Sequence, residues 1–219
     1  MSDAELAGVW AGIFTGGVGA CVVLAMRGVP RTLVRDVLHV GAGVWPLGWP
    51  GWHGAAAPIA VAAVGCAGLL AVPLLARRFG WASRLAASVS GDDERWSGLS
   101  LYGLSALGMT VLGFERSAFP AAAGLLALAL GDGLGGLAGR RWGRTRYRLP
   151  WAKSKTVEGS LAVAFFSAAG IVLAGWRFGV AAGPGLLLVG AVAAATTEAV
   201  SPRSADNLAV PLAVWAVCC

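Results

Sequence analysis

Charge is what this chain of 219 residues has least of. Only 13% of its residues are Asp, Glu, Lys or Arg, about half the share of roughly one quarter that a soluble globular domain carries. A soluble domain is therefore excluded, and a mean hydropathy of +0.72 agrees. Alternation with period two is also missing, which argues against a membrane β-barrel. The cysteines, Cys21, Cys66, Cys218 and Cys219, form no C-x-x-C pair, and none stands beside a histidine at metal-ligand spacing. A zinc centre or a redox dithiol is not expected, and these residues read as small apolar core positions. The first apolar block has no basic leader, being preceded by Asp3 and Glu5; a retained helix is expected there rather than a cleaved signal. No tandem repeat is evident. The net charge of +6 is spread over short loops instead of lining a groove, so no nucleic-acid partner is expected.

What is present is a series of long uncharged blocks. Leu6 to Met26, Trp96 to Phe114, Ser160 to Trp176 and Phe178 to Thr197 contain no charged residue, and Val37 to Ala76 contains none apart from two histidines. A helix crossing a bilayer needs about 20 predominantly apolar residues. The pattern predicts helices over 4–26, 37–50, 55–76, 97–114, 117–139, 157–176, 179–199 and 205–219. The fold class is thus all-α: a polytopic transmembrane bundle of seven or eight helices forming one domain over 1–219. The last segment spans only about 20 Å at 1.5 Å per residue, which leaves its crossing open. The break PLGWPGWHG reads as an interfacial turn with an aromatic anchor. With the N-terminus outside, fifteen of the seventeen basic residues fall on inside loops, and only Arg116 and Arg177 fall outside. Basic loops mark the cytoplasmic side, so that face is expected to meet anionic headgroups or an anionic ligand. The number of copies in the assembly, including a homo-oligomer, is left open.

Polar residues inside a membrane bundle are costly and so mark function. Here they gather in four groups near the same expected face. In VPRTLVRDVLHVGAG, Arg31, Arg35 and His39 recur every four residues and share one helix face. They suit a phosphate or a lipid headgroup, or arginines that merely snorkel to the surface. In GDGLGGLAGRRWG, the literal G-x-G-x-x-G lacks the strand–turn–helix setting of a dinucleotide site. Its glycines suit close helix contact through Gly135 and Gly139, and space beside Asp132 for a ligand or metal. Asp132 lies two turns from Arg140 and Arg141, too far for an intrahelical ion pair; an arginine on another helix is the alternative partner. In WAKSKTVEGSLAV, Lys153 and Lys155 precede a helix that Thr156 can cap, with Glu158 in its first turn. A helix start with adjacent lysines suits phosphate, and also suits an ordinary basic loop beside the membrane. In TTEAVSPRSADNLAVP, Glu198 closes one helix, Pro202 breaks the chain, and Asp206 with Asn207 opens the next. That pair reads as a helix cap or as oxygen ligands for Mg²⁺. Carboxylates that bind a divalent ion beside basic groups that bind phosphate are the parts phosphoryl transfer needs.

These motifs resemble those of the dolichol kinase, phytol kinase and CTP-dependent diacylglycerol kinase group of integral membrane lipid kinases. An R-K-x-x-H-like start to an early helix is similar to Arg31 to His39. A G-D-x-x-A-x-x-x-G-R-x-x-G pattern is similar to Gly131, Asp132, Gly139, Arg140 and Gly143, with Gly135 at the alanine position. K-S-x-E-G-S resembles Lys155, Glu158, Gly159 and Ser160, with Thr156 for the serine. A late E…D-N…P resembles Glu198, Asp206, Asn207 and Pro211. The resemblance implies a kinase that moves the γ-phosphate of CTP, or of ATP, to the hydroxyl of a prenol, phytol, polyprenol or dolichol, or diacylglycerol. The site residues it implies are Asp132 and Asp206 on Mg²⁺, Arg140, Arg141, Lys153, Lys155, Ser160 and Asn207 on the nucleotide, and Asp132, Glu158 and Asp206 in catalysis. Arg35, His39 and Glu198 are expected at a phosphate or a lipid headgroup. Two other activities would use similar groups: a CTP-dependent lipid-phosphate cytidylyltransferase, and an anion transporter, which would instead want charge at mid-membrane and inverted repeats.

Overall fold

A computed structural model describes residues 1–89, 96–151, 154–202 and 204–219. It is a bundle of helices with almost no sheet, as expected. The first helix, α1 (Asp3–Met26), starts on a capping box, in which Ser2 and Glu5 each accept the other's backbone amide. Next come α2 (Arg31–Ala42), a 3₁₀ segment (Trp45–Gly51), α3 (Ala56–Ala76), α4 (Gly80–Val89) and α5 (Ser97–Glu115). A central span then runs as α6 (Ala118–Ala127), a π turn (Leu128–Asp132) and α7 (Gly133–Trp142). A two-residue hairpin, β1 (Arg146–Tyr147) with β2 (Lys155–Thr156), leads into α8 (Val157–Phe178), α9 (Pro184–Val200) and α10 (Asp206–Cys218).

Among the described residues, five helical segments are long and apolar enough to cross a membrane: α1, α3, α5, the α6–α7 span and α8. The α6–α7 span is the axis of the bundle, with 72% of its apolar window buried against 11% in α1 and α3. Small residues make this packing close. A Cβ at Gly135 would stand 2.8 Å from the Val163 backbone nitrogen, and one at Gly170 would stand 2.7 Å from the Leu126 carbonyl. These glycines let α8 lie directly on the central span. Apolar side chains such as Phe165, Trp176, Leu188 and Val64 point outward and remain exposed, as a lipid-facing surface requires.

The expected second helix, 37–50, takes a different form. Its polar start is helical from Arg31, and α2 buries Val34 and Asp36 against the protein on different faces. Past Gly43 the chain narrows to the 3₁₀ segment, where Pro46 and Pro50 cannot donate ladder hydrogen bonds. The two pieces still reach across. Together they extend about 18 Å and about 14 Å at α and 3₁₀ rises. The far end arrives beside the start of α1, where the His53 backbone amide donates to Asp3 Oδ1 at 3.0 Å. The tryptophans of this stretch are core rather than surface anchors. Trp45 meets Trp10 edge-on at 4.9 Å, and Trp49 packs on Phe114 and Phe178. Arg177 donates to the Leu47 carbonyl at 2.7 Å, which closes the same end of the bundle.

The expected 179–199 helix begins later, at Pro184. Gly179, with φ of 69°, is the left-handed cap that ends α8, and Pro184 is preorganised for a first helical turn. The last helix, α10, is short, as its length in sequence foretold, and packs against α5, α6 and α9. The short helix α4 and the hairpin fall between the helices that the sequence predicts.

Candidate active site

Asp132 stands at the close of the π turn. Such a turn widens the helix by one residue and often marks a functional position. The following Gly133 brings α2 alongside, since a Cβ there would come within 2.6 Å of Val40 Cγ2 and 3.7 Å of His39 Cδ2. His39 Nε2 consequently sits 3.8 Å from Asp132 Oδ2. That is beyond hydrogen-bond length, and Nε2 is buried without a hydrogen-bond partner among the described residues. The imidazole is held from its other side by Tyr102. The ring centroids lie 4.5 Å apart with the planes tilted by 55°, and the tyrosine hydroxyl donates to the His39 carbonyl at 3.0 Å. The neighbouring glycines serve mainly close packing. A Cβ at Gly131 would overlap the Ser167 hydroxyl, and one at Gly139 would meet Gly159 and Thr156. Space beside Asp132 is thus set more by the π turn than by glycine.

Two further carboxylates reach the same point from the break between α9 and α10. Ser201 donates its hydroxyl to the Thr197 carbonyl at 2.7 Å and closes α9, leaving Glu198 buried on the last turn. Asp206 begins α10 and accepts from the Asn207 backbone amide at 2.9 Å. The Asn207 side chain donates to the Ser204 carbonyl at 3.2 Å, so it shapes this turn. Asp132, Glu198 and Asp206 offer carboxylate oxygens that all lie within 4.8 Å of one another. Lys155, from β2, forms an ion pair with Glu198 Oε1. Burial works against the lysine's charge, but the carboxylates of Glu198, Asp206 and Asp132 outweigh it and hold the ammonium above its ordinary value. Three carboxylates against one ammonium leave a formal charge of −2 in a largely dehydrated site. Isolated buried charge is costly, and a hard divalent cation takes oxygen ligands of this kind. Glu198 Oε2, buried and without a hydrogen-bond partner among the described residues, offers a lone pair to such an ion. The residues fit Mg²⁺.

The basic residues divide. Arg140 turns away from Asp132 and pairs with Asp36 on α2, which also has Arg35 at 4.0 Å. Arg141 is exposed at the end of α7. Glu158 is not in the cluster: its carboxylate accepts from the amides of Arg144 and Thr145 at 3.1 and 3.2 Å. Ser160 shares a 2.6 Å hydrogen bond with the Tyr147 hydroxyl. Both thereby fasten the hairpin that carries Lys155. Thr156 caps α8, accepting from the Gly159 amide at 3.1 Å, and Trp151 ties the hairpin to the Val200 carbonyl at 2.9 Å. Lys153, Arg95 and Arg203 lie outside the described residues. Of the expected site residues, Asp132, Asp206, Glu198, Asn207, Lys155 and His39 therefore come together, while Arg35, Arg140, Arg141, Glu158 and Ser160 stand around them.

Sequence reasoning missed Asp36, Tyr102 and Tyr147. Asp36 carried a signal, a lone carboxylate within the Arg31–His39 stripe. Tyr102 carried none, because one tyrosine in an apolar helix is ordinary.

No family model and no solved structure matches this chain. A search of characterised proteins finds the phytol kinase of Synechocystis sp., 34% identical over 193 residues, which is 84% of this chain and 76% of that protein. At that identity and coverage, the helical membrane bundle and its four motif groups have one family to belong to: the chain is a member of the phytol/polyprenol kinase family.

Proposed function

We propose that this chain is a lipid alcohol kinase that moves the γ-phosphate of a nucleoside triphosphate to an isoprenoid alcohol of the phytol class dissolved in the bilayer. CTP is the proposed donor and ATP the second choice. The cytoplasmic face is the proposed side of the reaction, because the basic loops gather there under the positive-inside rule. The observation that carries the proposal is the buried convergence of Asp132, Glu198 and Asp206 with Lys155. Membership of the family supplies the class of reaction.

In this reading Asp132 and Asp206 hold Mg²⁺. A bound Mg²⁺ would offset the negative charge on the β- and γ-phosphates. Lys155 approaches the phosphates from the hairpin, and Arg140 and Arg141 add positive charge at the end of α7. The lipid hydroxyl oxygen attacks the γ-phosphorus. The bond from that phosphorus to the oxygen bridging the β-phosphate breaks, and the nucleoside diphosphate leaves. The hydroxyl proton passes to Asp206, because the hairpin amides occupy the carboxylate of Glu158. Phosphoryl transfer asks mainly for positioning and charge neutralisation, and rigid helix ends provide the positioning. His39, packed against the Tyr102 ring, bounds the cluster on the α2 side.

Purified protein in detergent with Mg²⁺, given γ-labelled CTP or ATP and phytol, farnesol, a long polyprenol or diacylglycerol, tests this directly. The expected product is labelled phytyl or prenyl phosphate, absent with Asp132→Ala. Label in no lipid would sink the proposal. Label entering lipid from the α-phosphate would replace it with cytidylyl transfer.

A further inference from the structure

We infer that Lys155 is a resident stand-in for the divalent cation. Without the ion it holds Glu198; when a metal–nucleotide complex arrives it moves onto phosphate and frees Glu198 as a third carboxylate ligand. This rests on the metal and phosphate roles proposed above and adds an order to them.

Three separate features of the site carry it. Lys155 Nζ is paired with Glu198 Oε1, so a cation bound by that oxygen would have to displace the ammonium. Glu198 Oε2, on a side chain only 7% exposed, has no hydrogen-bond partner among the described residues; the carboxylate is held by one oxygen and ready at the other. His39 Nε2, on a side chain 10% exposed, is likewise without a hydrogen-bond partner and faces Asp132 at 3.8 Å. Two buried polar atoms left unsatisfied around one carboxylate cluster describe a site arranged for an occupant.

The mechanics are local. The Lys155 backbone is fixed, because β2 pairs with β1 and the next residue, Thr156, caps α8. The flexible four-carbon stem remains free to move the point charge. Glu198 stays on the rigid last turn of α9. Metal alone must therefore compete with an ammonium at no distance from its ligand. Metal with a triphosphate offers that ammonium a new anionic partner. Each ligand tightens the other by the same factor, since coupling between sites is reciprocal. The consequence is a kinase that loads its ion and its nucleotide together and keeps one charge of its acidic cluster offset between turnovers.

Mn²⁺ binding, followed by electron paramagnetic resonance on the full chain in detergent without nucleotide, tests the exchange. Mn²⁺ shares the preference of Mg²⁺ for oxygen ligands. Lys155→Met is expected to bind Mn²⁺ about tenfold more tightly than the wild type, a typical coupling factor. Lys155→Arg, which keeps the charge, is expected to match the wild type. A non-hydrolysable triphosphate analogue should tighten Mn²⁺ on the wild type by a larger factor than on Lys155→Met, which has no ammonium to release. Equal or weaker Mn²⁺ binding by a folded Lys155→Met protein overturns the proposal. A second readout needs no variant. The chain has two lysines, Lys153 and Lys155, so amine labelling read by mass spectrometry separates them. Mn²⁺ alone should increase Lys155 labelling severalfold, and the analogue should reverse it; labelling that ignores Mn²⁺ overturns the exchange. If the wild type binds no Mn²⁺, or Asp132→Asn binds it as well as the wild type, the metal assignment itself fails. Binding that requires Asp132 but ignores Lys155 defeats this inference alone.

Discussion

Asp132, Glu198 and Asp206 differ in what surrounds them, and the differences set what each substitution should do. Among the described residues, Asp132 has no lysine or arginine paired with it; its neighbour is the imidazole of His39. Asp132→Asn removes a charge without leaving a lysine or arginine stranded, so the fold should survive while the cluster weakens as a metal site. The expected loss exceeds the roughly 10–100-fold seen when only an outer-shell partner of a metal is removed. Metal titration beside a thermal melt checks it, and an unchanged metal affinity would remove Asp132 from the site. Tyr102 makes a different prediction. Tyr102→Phe keeps the ring against His39 and loses one hydrogen bond to its carbonyl, for a cost of about 1 kcal/mol in stability. Unfolding in detergent measures that cost. Glu158 acts through backbone. Glu158→Gln should increase hydrogen exchange at the Arg144 and Thr145 amides, and an unaltered exchange pattern there would show that the carboxylate is free for chemistry.

At the scale of elements, the contact between α7 and α8 decides where Lys155 can be. Gly135 and Gly136 are adjacent in sequence and opposite in consequence. A Cβ at Gly135 enters the Val163 backbone, whereas one at Gly136 meets only Arg140 Nη1, at 3.3 Å. Gly135→Ala should cost about 1–3 kcal/mol, the usual penalty of overpacking. Gly136→Ala should be neutral or should gain up to about 1 kcal/mol from helix propensity. Thermal unfolding of the pair in one detergent measures both, and equal effects would mean that α8 does not rest on this face. The small-residue spacing was legible in sequence as Gly135 and Gly139. The π turn was not, because an extra residue in one helical turn leaves no pattern in an apolar stretch. The second span was half legible. The predicted span covers its apolar part and starts after its polar first turns, because Arg35 and Asp36 are tolerable at that depth only when packed against protein.

For the molecule as a whole, the two ends of the bundle are chemically distinct. One holds the carboxylate cluster, Lys155 and the Arg140–Asp36 pair; the other holds the Asp3–His53 contact and Arg177 on the Leu47 carbonyl. Single cysteines placed in a variant lacking the four native ones test this directly. Positions 31 and 141 should react with an impermeant thiol reagent from the cytoplasmic side, and positions 53 and 116 from the opposite side. Reaction of 31 and 53 from the same side would mean that α2 and the 3₁₀ segment do not cross.

The sequence by itself determined that this is a helical membrane protein, roughly where its spans lie, and which polar residues merit suspicion. Those are local properties: the energy of placing charge in lipid acts residue by residue, and 20 apolar residues in a row need no partner to be recognised. It also carried the motifs that resemble those of the family. Only the tertiary structure decided which suspects meet. Asp132 reaches Glu198 and Asp206 across helices that are far apart in the chain, Lys155 joins Glu198, and Arg140 finds an Asp36 that lies 104 residues away. Helical periodicity says which face a side chain occupies but not which helix that face will meet. That choice was made by the glycines that let α8 and α2 close on the central span, and by the π turn that aims Asp132.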